Sequence, residues 1–155
     1  FSRRQRQMCI RDRAKAAGFA EVIYLDAEEH KYVEEVGAAN FFCLKDGVLY
    51  TPELTGTILP GITRDSIIRL ARHMGHEVVE KKVEAEFAMQ ADEAFCCGTA
   101  AVISPIGSIT LKDKTATYGD GVTPGEVTQK LYDALTNIQN EMSEDLFGWV
   151  HPVIE

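Results

Sequence analysis

The chain has 155 residues, is 45% apolar and 26% charged, and carries a net charge of −8. That composition supports one folded domain with a real core and excludes a disordered chain. No apolar run is long enough to span a membrane, and the acidic balance argues against nucleic acid as the main partner.

Residues 1–13 read FSRRQRQMCIRDR, with Arg3, Arg4, Arg6, Arg11 and Arg13 against Asp12 alone, so the rest of the chain is more acidic still. The segment has no signal-peptide apolar region and no amphipathic stripe that continues into Ala14. A basic arm, a transit-like leader and a non-native scar compete. The segment resembles the peptide left by translated sequencing-adapter read-through, and it is read here as a scar. On that reading 14–155 is the folded unit, and the part native to its N-terminal side is missing. Cys9, Cys43, Cys96 and Cys97 show no metal-ligand spacing, and neighbours such as Cys96 and Cys97 do not bridge readily. A reducing, cytoplasmic setting is expected, with an organelle as the alternative.

Ala14 to Gly18 predicts the last turn of a helix with a glycine cap. Glu21–Asp26 predicts a strand, Ala27–His30 a polar turn, and Tyr32–Val36 and Asn40–Leu44 two more strands with a bend at Gly37. Asp46-Gly47 is a strong hairpin signal, leading into Val48–Thr51. Pro60-Gly61 then turns the chain into a helix. Thr63 is the expected N-cap, Asp65 places a carboxylate in the first turn, and Ile67, Ile68, Leu70, Ala71 and Met74 recur at helical spacing up to a stop at Gly75. The free N–H groups at such a helix start suit a phosphate, although most capped helices hold no ligand. Glu77–Val83 predicts a strand and Glu86–Gln90 a short helix. Asp92–Ile109 predicts a long apolar strand region broken at Gly98-Thr99 and Pro105. Lys112–Gly121 reads as a loop, and Pro124–Met142 as a helix with a stripe of Val127, Leu131, Leu135 and Ile138. Hairpin strands mixed with separated helices indicate an α+β fold.

Few residues carry chemistry on their own. Alternation in a strand puts one of Glu34 and Glu35 inward, and a buried carboxylate needs a cationic partner. Gly98 with Thr99 is either a bulge in a core strand or a place where backbone and hydroxyl approach a ligand. His30, His73, His76 and His151 show no catalytic pairing and read as surface residues. Phe41, Phe42 and Phe95 read as core. Tyr118–Gly121 reads as a turn and not a metal loop. No catalytic triad, Walker loop or dinucleotide fingerprint is present.

Taken together, Tyr24–Asp26, Glu34–Phe42, Thr51-Pro52, Ile58–Asp65, Gly98–Ile106 and Phe147–Val150 have the order and spacing of the branched-chain amino-acid aminotransferases, and residues 14–155 resemble that family throughout. The resemblance implies the strand-rich, pseudo-barrel-like large domain, with flanking helices, of the class IV, fold-type IV pyridoxal-phosphate enzymes. It implies pyridoxal 5'-phosphate as cofactor. It places Glu35 at the pyridine nitrogen, where a carboxylate keeps the ring protonated and a better electron sink. Ile62 and Thr63 match residues that hold the phosphate, Thr99 matches a further phosphate ligand, and the Ala100 N–H matches part of the substrate-carboxylate site. Asn40 matches a support for the Glu35 strand. The implied substrates are leucine, isoleucine or valine with 2-oxoglutarate, and the implied assembly is a homodimer without membrane or nucleic-acid partners.

One departure stands out. The family's Schiff-base lysine precedes Glu35 by about a helix and a strand, and no residue of this chain matches it. Lys15 lies in the last turn of the following helix. No catalytic residue is therefore assigned, and the chain is expected to be an inactive cofactor-binding fragment of an active parent. A D-amino-acid aminotransferase or aminodeoxychorismate lyase is the alternative within the fold. A lysine-less ligand-binding or dimerisation module is the alternative outside catalysis.

Overall fold

The computed structural model describes residues 3–151, with side chains from residue 10 onward. The start of the expected leader, Phe1 and Ser2, and the side chain of Cys9 lie outside the described residues. Helix α1 (Arg3–Ala16) runs through the rest of the leader into Ala14–Ala16 without a break. The stretch is rich in Arg, Gln and Ala, which favour helix, and contains no Gly or Pro. Arg13 is thus not a structural boundary. Ile10 and Ala14, one turn apart, face the same cavity, so a common face also crosses it. Gly18 ends the helix at φ +90°, and Phe19 N–H donates to the Ala14 carbonyl at 3.0 Å, the cap expected there.

Four strands follow: β1 (Ile23–Leu25), β2 (Tyr32–Val36), β3 (Ala39–Lys45) and β4 (Val48–Pro52). Asp26 builds the turn before β2 by accepting from the N–H groups of Glu29, Lys31 and Tyr32. Asp46 and Gly47, at φ +51° and +78°, make the β3–β4 hairpin in the left-handed geometry that Asp-Gly favours. Next come α2 (Ile62–His73), β5 (Val78–Lys81), β6 (Val83–Glu84), α3 (Ala85–Ala88), β7 (Glu93–Gly98), β8 (Val102–Pro105), β9 (Ser108–Leu111), β10 (Lys114–Thr117) and α4 (Glu126–Gln139).

Three expectations change here. The single strand Glu77–Val83 is two strands split at Lys82, because β5 pairs parallel with β4 and β6 pairs antiparallel with β2. The Gly98-Thr99 break is a hairpin turn between β7 and β8, not a bulge. The expected loop Lys112–Gly121 contains β10, paired with β9 and held by a Thr110–Thr115 hydroxyl contact of 2.8 Å. Cross-strand threonine pairing there outweighs the turn-forming residues around it.

The split at Lys82 explains the barrel-like shape. β3 pairs with β2 near its start and with β4 near its end, while β7 takes its other edge. Since β5 joins β4 and β6 joins β2, the strands β2, β3, β4 and β5–β6 close into a ring. Successive side chains of β3 then enter two cores. Phe42 and Leu44 pack with Ile67, Ile68 and Ala71 of α2 and Leu131, Leu135 and Ile138 of α4. Phe41 and Cys43 pack with Val33, Val83, Ala88 and Ala94 in the other cluster. A strand buried on both faces has to be apolar throughout, as Phe41–Leu44 is. The tail returns over α2: Phe147 and Trp149 stack at 4.3 Å with the Arg69 guanidinium 5.8 Å from the Phe147 ring.

Candidate functional site

Glu34 and Glu35 sit at an irregularity in β2. Tyr24 of β1 pairs with Glu35 but the next residue, Leu25, pairs with Val33, so one residue of β2 is skipped. Val33 and Val36 are both buried as a result, and neither glutamate is. The expectation that alternation would bury one of them fails because a bulge resets the alternation. Both carboxylates instead reach the chain before α2. Glu34 Oε1 accepts from the Thr57 hydroxyl at 2.7 Å, and Glu35 Oε1 accepts from the Leu59 N–H at 2.9 Å. Among the described residues Glu35 Oε2 takes no hydrogen bond.

Asn40 ties this strand to the same segment. It pairs across the sheet with Glu35 on one side and Cys97 on the other. Its buried side chain donates from Nδ2 to the Leu59 carbonyl at 2.9 Å. Gly61 passes so close that a Cβ there would lie 2.3 Å from Asn40 Oδ1. Glycine is required at this position by space, not by backbone angle, because φ is −68°.

Gly61 is also the N-cap of α2. The sequence points to Thr63 as the cap, but the extended backbone at Gly61 starts the helix two residues earlier and leaves Thr63 in the first turn. No side chain among the described residues caps this end. The first backbone bond is Asp65 N–H to the Gly61 carbonyl at 3.0 Å. The N–H groups of Ile62, Thr63 and Arg64 have no acceptor among the described residues. Three N–H groups without a described partner at the positive end of a helix dipole have the chemistry that suits an anion.

Thr99 and Ala100 lie exposed in the β7–β8 turn, one residue beyond Gly98 and two beyond the Cys97 that pairs with Asn40. The turn closes at Val102 with φ +53°, a conformation that costs a β-branched residue about 1–3 kcal/mol and that gathers at ligand-holding loops. Thr99 and Ala100 also border a cavity of 920 Å³, together with Tyr24, Cys96 and Ser104. The cavity does not reach Glu35, Ile62 or Thr63. The structure therefore joins Glu35, Asn40 and the start of α2 by direct contact, and attaches Thr99 and Ala100 to them through the sheet.

Among the described residues no lysine borders the cavity. Lys31 pairs with Glu84, Lys130 with Glu126, and Lys45 and Lys81 lie over the Phe87 ring. Burial pushes the Cys43 and Cys97 thiols up to about 12, so neither is a nucleophile near neutral pH. The sequence reading missed Arg64 and Glu80. Arg64 lies on the buried stripe, three and four residues before Ile67 and Ile68, and an arginine in such a position is the signal to look for.

The protein-family model described as "Amino-transferase class IV" matches residues 2–109. The chain is 49% identical over 136 residues to "Branched-chain-amino-acid aminotransferase 3, chloroplastic" of Arabidopsis thaliana, covering 88% of this chain and 33% of that protein. It is 46% identical over 142 residues to the "Probable branched-chain-amino-acid aminotransferase" of Staphylococcus aureus (strain N315), covering 88% and 39%. The chain thus spans about a third of the length of the curated relatives it matches. The solved branched-chain aminotransferase of Escherichia coli superposes with a TM-score of 0.80 at 38% identity, covering 92% of this chain and 45% of that one. A T.th. branched-chain aminotransferase solved with pyridoxamine 5'-phosphate also gives 0.80, at 34% identity and with 92% and 44% covered. The fold, the order of the motifs and the matched residues agree: the chain belongs to the class IV aminotransferases.

Proposed function

We propose that this chain is the cofactor-holding part of a branched-chain aminotransferase, which moves the amino group of leucine, isoleucine or valine to 2-oxoglutarate. The observation that carries the reading is the open start of α2 beside the half-used carboxylate of Glu35. Their chemistry fits the two ends of pyridoxal 5'-phosphate. Three N–H groups and the Thr63 hydroxyl suit a phosphate, and Glu35 Oε2 suits a protonated ring nitrogen. Bound there, pyridoxal phosphate would supply the electron-accepting ring that eases loss of a substrate Cα proton.

The chain's own residues do the rest of the holding. Leu59 N–H fixes one Glu35 oxygen and leaves the other to keep a proton on the ring nitrogen. Asn40 fixes Leu59, and with it the distance between Glu35 and the start of α2. Thr99 offers a hydroxyl to the phosphate, and the Ala100 N–H offers a donor to the substrate carboxylate. No residue of this chain is assigned the transfer of the Cα proton, so the chain alone binds the cofactor reversibly and does not turn over. The complete enzyme is read as a cytoplasmic homodimer acting on small molecules. Among the described residues no helix is long and apolar enough to cross a membrane.

Titration of the ¹⁵N-labelled chain with pyridoxal phosphate tests this. Saturable shifts of the Ile62, Thr63 and Thr99 amides are expected, with no amino transfer from leucine. Absence of saturable shifts at Ile62 and Thr63 overturns the binding reading, and measurable transfer by the chain alone overturns the inactivity.

A further inference from the structure

Arg64 is the third residue of α2, and only 4% of it is exposed. Its Nη2 donates to the Pro52 carbonyl and to Glu80 Oε2, both at 2.9 Å. Its Nε is buried without a partner. The other oxygen of Glu80 accepts from Arg72 Nη2 at 3.4 Å. Stability accounts poorly for this arrangement. A buried guanidinium loses its hydration, and its one carboxylate partner is partly exposed to water, its side chain 36% accessible. An apolar side chain of similar volume would serve the core as well, and the orphaned N–H adds a further cost.

The placement has a different effect. The side chain starts in the turn whose N–H groups are open and runs inward to the ends of β4 and β5, where Thr51 pairs with Glu80 and Pro52 with Lys81. It fastens the start of α2 to two strands. It also holds a positive charge behind the positive end of the helix dipole, so the two fields add at the open N–H groups.

We propose that Arg64 is a positioning residue of the anion site: it fixes the first turn of α2 against Pro52 and Glu80 and strengthens its positive field without touching the anion. Glu80 is the counter-charge that limits how much of this field the anion feels. The inference rests on the reading of α2 as the phosphate holder.

The test uses the 155-residue chain, ¹⁵N-labelled and titrated with inorganic phosphate and with pyridoxal phosphate, following the Ile62 and Thr63 amides. Arg64→Met is expected to weaken both ligands about tenfold, the scale of a favourably placed charge at a helix end. Glu80→Gln keeps an oxygen for Arg64 and removes the counter-charge, so binding is expected to tighten about two- to threefold. A mere brace predicts no tightening. Glu80→Gln binding equal to or weaker than the parent's, or Arg64→Met binding equal to it, overturns the proposal. Where Arg64→Met fails to fold by circular dichroism, Glu80→Gln decides alone. Shifts in the parent that both variants reproduce overturn only the role of Arg64. No saturable shift in the parent overturns the phosphate reading and this role with it.

Discussion

The starts of α2 and α4 obey the same local grammar and end up opposite. Each follows a Pro-Gly pair, each has a glycine N-cap in extended conformation (φ −68°, ψ 137° at Gly61; φ −63°, ψ 158° at Gly125), and neither has a capping side chain of its own. At α4 a glutamate from β7 fills the end: Glu93 Oε1 accepts from Val127 N–H at 3.0 Å, and Oε2 accepts from the N–H and hydroxyl of Thr128, both at 2.8 Å. At α2 no described residue does so. One helix start is closed by a built-in anion, and the other has no such partner among the described residues. Only the tertiary structure separates them, because Glu93 is thirty-odd residues away from the helix it caps.

Opening the closed end should give the largest effect. Glu93→Ala removes three bonds to a charged acceptor and leaves three donors without it, two of them on the buried Thr128, a loss of about 3 kcal/mol. Gly125→Ala should approach it from the other side, since a Cβ there would lie 2.0 Å from the Glu93 carboxyl carbon. Urea unfolding of each variant measures the loss. If the double variant is no worse than the worse single, both act through the same contact.

Closing the open end should cost less stability and more binding. Gly61→Ala drives a methyl group into Asn40 Oδ1, which must release Leu59. A loss of about 1–2 kcal/mol is expected for the broken buried bond and displaced loop. Pyridoxal phosphate affinity should fall at least tenfold as the α2 start moves. Asn40→Ala makes room for the methyl group, so stability in the pair should fall by less than the two losses combined. Full additivity would mean that Gly61 and Asn40 do not communicate.

Much of the fold is legible because its signals are local. The Asp46-Gly47 hairpin, the Gly18 and Gly75 helix ends and the stripes of α2 and α4 depend on residues within a few positions of one another. What escapes depends on distant pairing. The break at Lys82 exists because β5 and β6 have different partners, and the bulge at Glu34-Glu35 exists because the pairing with β1 passes over Glu34 of β2. The candidate site divides in the same way. Gly61, Ile62 and Thr63 can be seen as a helix start, although the sequence places the cap two residues late. The link from Glu35 through Leu59 to Asn40 spans 24 and 19 residues and leaves no periodic trace in sequence.

Glu35→Gln separates the two ends of the proposed ligand with little change in fold. The amide oxygen still accepts from Leu59 N–H, so stability should stay within about 0.5 kcal/mol of the parent's. Pyridoxal phosphate should bind about tenfold more weakly, since a neutral amide is a poorer partner for a protonated ring nitrogen. Inorganic phosphate, which has no ring, should bind as before. Equal weakening of both ligands would place Glu35 on the phosphate and not on the ring.

Two further carboxylates, Asp26 and the exposed Asp120, act on turns as Glu93 acts on α4, and acid should reveal them with the smallest effect. Asp120 is lowered from 3.8 to about 2, first by the Thr123 hydroxyl and then by the N–H groups of Thr123 and Val122. Asp26 is held below the usual carboxylate range, chiefly by the N–H groups of Tyr32 and Glu29. Both groups ionise more readily in the folded chain than in the unfolded one. Their contribution is therefore complete above the ordinary carboxylate value and disappears as pH falls toward the folded value, because the unfolded chain takes up the proton first. The melting temperature should hold between about pH 7 and 5 as far as these two groups decide it, and decline between about pH 4 and 2. Asp120→Asn, which has no charge to lose, should make that decline shallower. A decline of unchanged steepness in Asp120→Asn and in Asp26→Asn would show that acid acts elsewhere in the molecule.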